Sequence, residues 1–158
     1  MSEEKINLNS IEAFRAYEGK LLFTSNHFDM TTEAIKGFCT SVGNNEWIHW
    51  DDDRCAETPH LGAIVMPSFM APSLLSQLFF EKAEVDWNKL GGLFRGVDNY
   101  RLHAPVRAGD KLYLKMNIEK IEEKRKGIAV HYGLEYFVAG RDEKPCQTGT
   151  FIIRYWEL

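Results

Sequence analysis

Cysteine is scarce in this chain of 158 residues: Cys39, Cys55 and Cys146 form no Cys-x-x-Cys pair and have no histidine at metal-ligand spacing. So sparse and odd a set excludes a disulfide scaffold and predicts buried free thiols, a reducing compartment and no bound metal. Long apolar runs are missing too. Nothing approaches the roughly 20 residues that a membrane helix needs, so no membrane span is expected. The first residues, Met1-Ser2-Glu3-Glu4-Lys5, are polar and acidic and do not read as a secretory signal. Together these absences predict a cytoplasmic protein. A surplus of positive charge is also lacking: 19 lysines and arginines face 23 aspartates and glutamates, for a net charge of −4. Nucleic acid is therefore excluded as the main partner, because phosphate binding needs a concentrated basic surface. The one basic cluster, Lys124-Arg125-Lys126, follows Glu122 and Glu123 and reads as a hairpin tip rather than an anion site. There is no internal repeat and no low-complexity segment.

What is present suits one globular domain. The hydrophobic fraction of 44% in a chain of this size can bury a core without disulfide or metal staples. Ser10 before Ile11-Glu12-Ala13-Phe14 reads as the cap of a short first helix ended by Gly19. Residues 1–19 are thus a helical extension, and residues 20–158 the domain proper. Lys20 to Thr24 reads as a strand. Thr31 or Thr32 caps a second helix, whose Ile35, Phe38, Cys39 and Val42 fall on one stripe and which Gly43 terminates. Asp51, Asp52 and Asp53 offer caps for a brief turn. From Ser68 to Phe80 the chain is apolar on nearly every side, which predicts a helix surrounded by protein, with Pro72 in its first turn.

After residue 90 the pattern changes to β. Leu93 to His103, Lys111 to Ile121, Ile128 to Val138 and Thr148 to Trp156 are strand-length and rich in Val, Ile, Tyr and Phe. Ile128, Val130, Tyr132, Leu134, Tyr136 and Val138 alternate onto one face. Short gaps predict hairpins and a four-strand antiparallel meander. The fold class is α+β: a curved antiparallel sheet wrapped around one long buried helix.

The chemistry centres on Gly43-Asn44-Asn45-Glu46-Trp47-Ile48-His49, which begins where the second helix stops. An amide and an imidazole five residues apart can meet over one small molecule. With aspartate at 44 the pair would be a water-activating acid–base couple. With asparagine, the chain reads equally as an enzyme or as a binder that has lost its base. A carboxamide oxygen is too weakly basic to take a proton from water near neutral pH. Asn44 is left to orient water, with His49 as base, and the missing carboxylate should cost about 3–5 kcal/mol of barrier. Glu46 and Asp51 are the two nearby acids able to replace it. Each residue also has an ordinary structural explanation: Asn44 as a turn residue, and a serine such as Ser76 bonding back to a helix carbonyl.

At this point the chain resembles the MaoC-like branch of the hot-dog fold, which includes (R)-specific enoyl-CoA hydratases and nodulation protein N. The likeness rests on the helix ending in Gly43, the 43–49 motif, the acidic turn, and the Gly62-Ala63-Ile64-Val65 entry into a buried helix and meander. It covers roughly residues 20 to 156. Gly96 to Asp110, with Arg101 and Pro105-Val106-Arg107-Ala108-Gly109-Asp110, is similar to that family's strand and turn. Trp47-Ile48-His49 lies closer to the nodulation subgroup.

The resemblance implies hydration or dehydration of an acyl thioester carried on coenzyme A or acyl carrier protein, with no further cofactor. It makes His49 the catalytic histidine and puts Asn44 where the family has its aspartate. Substrate contacts fall to the backbone N–H of Ser68 (in Pro67-Ser68), and to Ser76, Trp47 and Arg101. It also implies a homodimer or higher oligomer with the site at the interface. Three functions stay open: a hydratase or dehydratase, a non-catalytic acyl-thioester-binding or scaffolding subunit, and a hot-dog thioesterase using Glu46 or Asp51 with His49.

Overall fold

The computed structural model describes residues 4–158. In chain order it comprises β1 (Ile6–Asn7), α1 (Ile11–Arg15), β2 (Lys20–Thr24), β3 (Phe28–Asp29), α2 (Thr32–Val42), a 3₁₀ turn (Trp47–His49) and α3 (Asp52–Glu57). Then follow α4 (Met70–Ser73), α5 (Leu75–Lys82), β4 (Ala83–Glu84), β5 (Leu90–Leu102), β6 (Lys111–Lys124), β7 (Gly127–Val138) and β8 (Gln147–Glu157). Local caps fall at the expected residues. Ser10 Oγ accepts from Ala13 N, Thr31 Oγ1 from Ala34 N and Asp51 Oδ1 from Arg54 N. Gly43 closes α2 in the left-handed region at φ 70°, which costs glycine nothing.

Among the described residues the main sheet is fully antiparallel, in the order β2-β6-β7-β8-β5, with β3 also on β6. Its inner face carries the expected stripe Ile128 to Val138, every alternate residue buried, against α5. Phe79 of α5 meets Tyr132 of β7 and Phe23 of β2 edge-on, at 6.4 and 6.0 Å between ring centres. Bulges after Phe94 and Asp98 in β5 and after Ile118 in β6 increase the local twist that curves the sheet around the helix. This is the hot-dog arrangement.

One link differs from the simple meander. β6, β7 and β8 are joined by hairpins, but β5 pairs with β8 and not with β6. Residues 103–110 are too long and too engaged for a hairpin. Their backbone bonds instead to Met30, Ile64, Met66 and Cys146, with an isolated bridge between Val65 and Arg107. The central helix is likewise two pieces, α4 and α5, that meet at Leu74. Nor does its own chain enclose it. Leu75, Leu78 and Phe79 are buried, while Phe69 is 71% exposed and Phe80 lies open beside Trp87.

The N-terminal segment belongs to the same core. Leu8 and Phe14 are fully buried, and Phe14 stacks on Tyr155 of β8 at 4.4 Å. Among the described residues no helix is long and apolar enough to cross a membrane.

Candidate functional site

Three hydrogen bonds hold His49 and the turn that carries it. Its N–H donates to the Glu46 carbonyl at 3.0 Å, closing the 3₁₀ turn. Val65 N donates to the Ile48 carbonyl at 2.9 Å, which lays the Ile64–Met66 segment along the turn. The Val65 carbonyl then stands 2.5 Å from His49 Nδ1. A carbonyl only accepts, so Nδ1 carries the proton and Nε2 is the ring nitrogen left for another partner. The ring is 5% exposed, so it is fixed and not a surface histidine.

His49 lines a cleft of about 500 Å³. Its apolar walls include Phe38 and Val42 from the end of α2, Phe69 from the start of α4, and Leu102 and Pro105 after β5. Asn44, Glu46 and Ser68 are its polar lining besides His49. On the wall formed by Pro67, Ser68 and Phe69, Met70 N turns back to the Pro67 carbonyl at 2.9 Å. The N–H groups of Ser68 and Phe69 find no acceptor among the described residues. Unpaired donors at a helix start are suited to an oxyanion or thioester carbonyl.

A residue far away in sequence holds that wall. Pro72 brings no N–H to the carbonyl four residues back. The Tyr100 hydroxyl, from β5, donates to the Ser68 carbonyl instead, at 2.8 Å, and also meets the side-chain amide of Gln147. Burial raises the Tyr100 phenol above its ordinary pKa, so it stays a donor.

Asn44 sits in the cleft but does not stand free. Its Oδ1 accepts from Glu46 N at 3.0 Å, closing a side-chain turn, and its carbonyl accepts from Trp50 Nε1 at 2.8 Å. Glu46, a residue the spacing argument treats as secondary, reaches the imidazole: Oε2 lies 3.7 Å from His49 Nε2. The alternative acid, Asp51, is engaged as the cap of α3.

The remaining expected contacts lie elsewhere. Trp47 is under the Arg54 guanidinium, 3.8 Å from its ring centre, and does not line the cleft. Ser76 faces a second, apolar cleft with Phe80, Trp87 and Phe94. Arg101 is exposed and bonds the adjacent Tyr100 carbonyl. Sequence reasoning misses Tyr100, whose link to Ser68 spans 32 residues and leaves no local signal.

The family described as "FAS1-like, dehydratase domain region" matches residues 21–145. The chain belongs to this dehydratase family. Its curated relatives include 3-hydroxyacyl-thioester dehydratase Z of Mycobacterium tuberculosis, 26% identical over 147 residues, covering 92% of this chain and 95% of that protein. Among solved structures, the monoamine oxidase regulatory protein of Archaeoglobus fulgius superposes with a TM-score of 0.79 at 16% identity, over 99% of this chain and 97% of the other. A MaoC-like dehydratase from Rhodospirillum rubrum gives 0.70 at 15% identity, over 86% and 90%. At such identities the structural likenesses establish the hot-dog fold, and the family match establishes the dehydratase kinship.

Proposed function

We propose that this dehydratase-family chain moves water on and off the Cα–Cβ position of an acyl thioester, interconverting enoyl and 3-hydroxyacyl groups on coenzyme A or acyl carrier protein. One observation carries the reading. The buried imidazole of His49, fixed through Nδ1, lines the same cleft as Ser68 and Phe69, whose N–H groups have no acceptor among the described residues. Hydration needs an acid–base group near Cα and Cβ and donors facing the thioester oxygen, where enolate charge develops. The apolar walls suit an acyl chain, and the carrier is part of the substrate, so the reaction calls for no separate cofactor.

The test is the loss of enoyl absorbance with crotonyl thioesters of both carriers. We expect His49→Ala to lower the rate by roughly 100- to 10,000-fold. Equal rates for wild type and variant would sink the reading, and release of free thiol in place of hydration would make the chain a thioesterase.

The reading includes a homodimer. β5 ends the sheet with one edge unpaired among the described residues, and Phe69, Leu93, Phe94, Val97 and Leu102 are exposed beside it. Apolar surface gathered along a free strand edge suits a second copy of the same sheet.

A further inference from the structure

We propose that Glu46 is the catalytic carboxylate of this site, in place of the acid that position 44 lacks, and that Asn44 is the positioning residue that sets it. The inference rests on the hydratase or dehydratase reading above and adds the identity of the base.

Geometry carries it. Glu46 is pinned through its backbone on both sides: its N–H donates to Asn44 Oδ1 at 3.0 Å, and its carbonyl accepts from His49 N at 3.0 Å. Glu46 is the extended residue that opens the 3₁₀ turn and His49 is the last residue of that turn. The turn brings the two side chains together, and Oε2 stands 3.7 Å from Nε2. That distance is too long for a direct hydrogen bond and suits one water in reach of both groups. Glu46 is the only carboxylate lining the cleft among the described residues. The other nearby acids are in use: Asp51 caps α3 and Asp52 pairs with Lys36. An amide at 44 is then an asset. It keeps a neutral side chain in the cleft beside Glu46, where a second carboxylate would repel the first.

In hydration, the starting pair is the Glu46 carboxylate and the protonated imidazole of His49. Glu46 takes one proton from water as the water oxygen bonds to Cβ. The Cα–Cβ π pair moves toward the thioester oxygen, which the Ser68 and Phe69 N–H groups receive. Cα then takes the Nε2 proton of His49. A proton passing from the Glu46 carboxyl to the neutral imidazole restores the starting pair. Dehydration is the same sequence reversed.

Glu46→Gln keeps size and polarity on a side chain that is 61% exposed, so the fold should persist, which a thermal melt checks. We expect its kcat to fall by about 100-fold or more with KM within about 3-fold, and Glu46→Asp to lie between. The double variant Glu46→Gln/His49→Ala should lose little more than His49→Ala alone, because groups acting as one unit are not additive. If Glu46→Gln retains the wild-type rate while His49→Ala loses it, the role of Glu46 is overturned and the functional reading stands. A raised KM at unchanged kcat also overturns it, by making Glu46 a binding residue. If wild type hydrates neither coenzyme A nor carrier-linked substrate, or His49→Ala changes nothing, both fall together.

Discussion

Tyr100 shows how one hydroxyl can govern a site it does not enter. Its bond to the Ser68 carbonyl fixes the Ser68–Phe69 peptide, and the N–H of Phe69 is the other end of that same rigid unit. Of the two donors proposed to face the thioester oxygen, that of Phe69 is thus aimed from β5. Removing the hydroxyl leaves a part-buried carbonyl without its donor, at a cost of about 1–3 kcal/mol. Tyr100→Phe should therefore lower the melting temperature by a few degrees. It should also cut kcat by roughly tenfold, about 1.4 kcal/mol of lost transition-state contact, with a smaller change in KM. A purely structural Tyr100 would shift the melt and leave kcat at the wild-type value, which steady-state kinetics on the folded variant distinguishes. Asn44 acts on the same scale. Its effect depends less on what an amide can do to water than on where its oxygen places the next carboxylate.

At the scale of elements, what the sequence reveals depends on how local the cause is. Ser10, Thr31, Gly43 and Asp51 act within one turn, so the helix ends are readable from residue types alone. Alternation along Ile128 to Val138 is equally local, and it places the core face of β7 correctly. The β5–β8 pairing is not local: it depends on residues 103–110 finding partners in Met30, Ile64 and Met66, which no short pattern encodes. The same limit applies to the site. His49 and its neighbourhood are legible from spacing, but the approach of Glu46 depends on the 3₁₀ geometry between them. The β6–β7 hairpin, with its basic tip, does have a readable charge pattern. Hydrogen bonds from Lys120 and Lys124 hold the Glu122 carboxyl down to about 2 from an ordinary value of 4.5. His131 Nε2 stands 3.1 Å from the same carboxylate. A depressed acid stabilises the fold above its unfolded pKa, and that contribution is lost as pH falls through the folded one. Denaturant melts of wild type and Glu122→Gln should differ above about pH 4.5, converge between there and about pH 2, and coincide below. A difference that is constant across that window would remove Glu122 from the acid response.

At the scale of the whole molecule, much of the exposed apolar surface gathers in one place. Phe69 at 71%, Phe94 at 54% and Leu93 at 52% exposure lie along the crevice between the helix and the free edge of β5. The helix that composition predicts to be surrounded by protein is surrounded on one side only, and a second copy would complete the enclosure. Phe69 also lines the His49 cleft, so a partner seated there would form part of its wall. A stable interface of this kind buries about 800 Å² on each partner. Light scattering behind size exclusion should then report twice the chain mass of 18.2 kDa. Aspartates at Leu93 and Phe94 put like charges on both faces of a self-complementary contact, and should shift the protein to monomer at micromolar concentration. Because the cleft borders that contact, the monomeric variant should also lose hydration activity, although neither residue touches His49. A wild type that runs as a monomer and is fully active would refute the shared site. A dimer that survives both aspartates would move the interface to another face of the sheet.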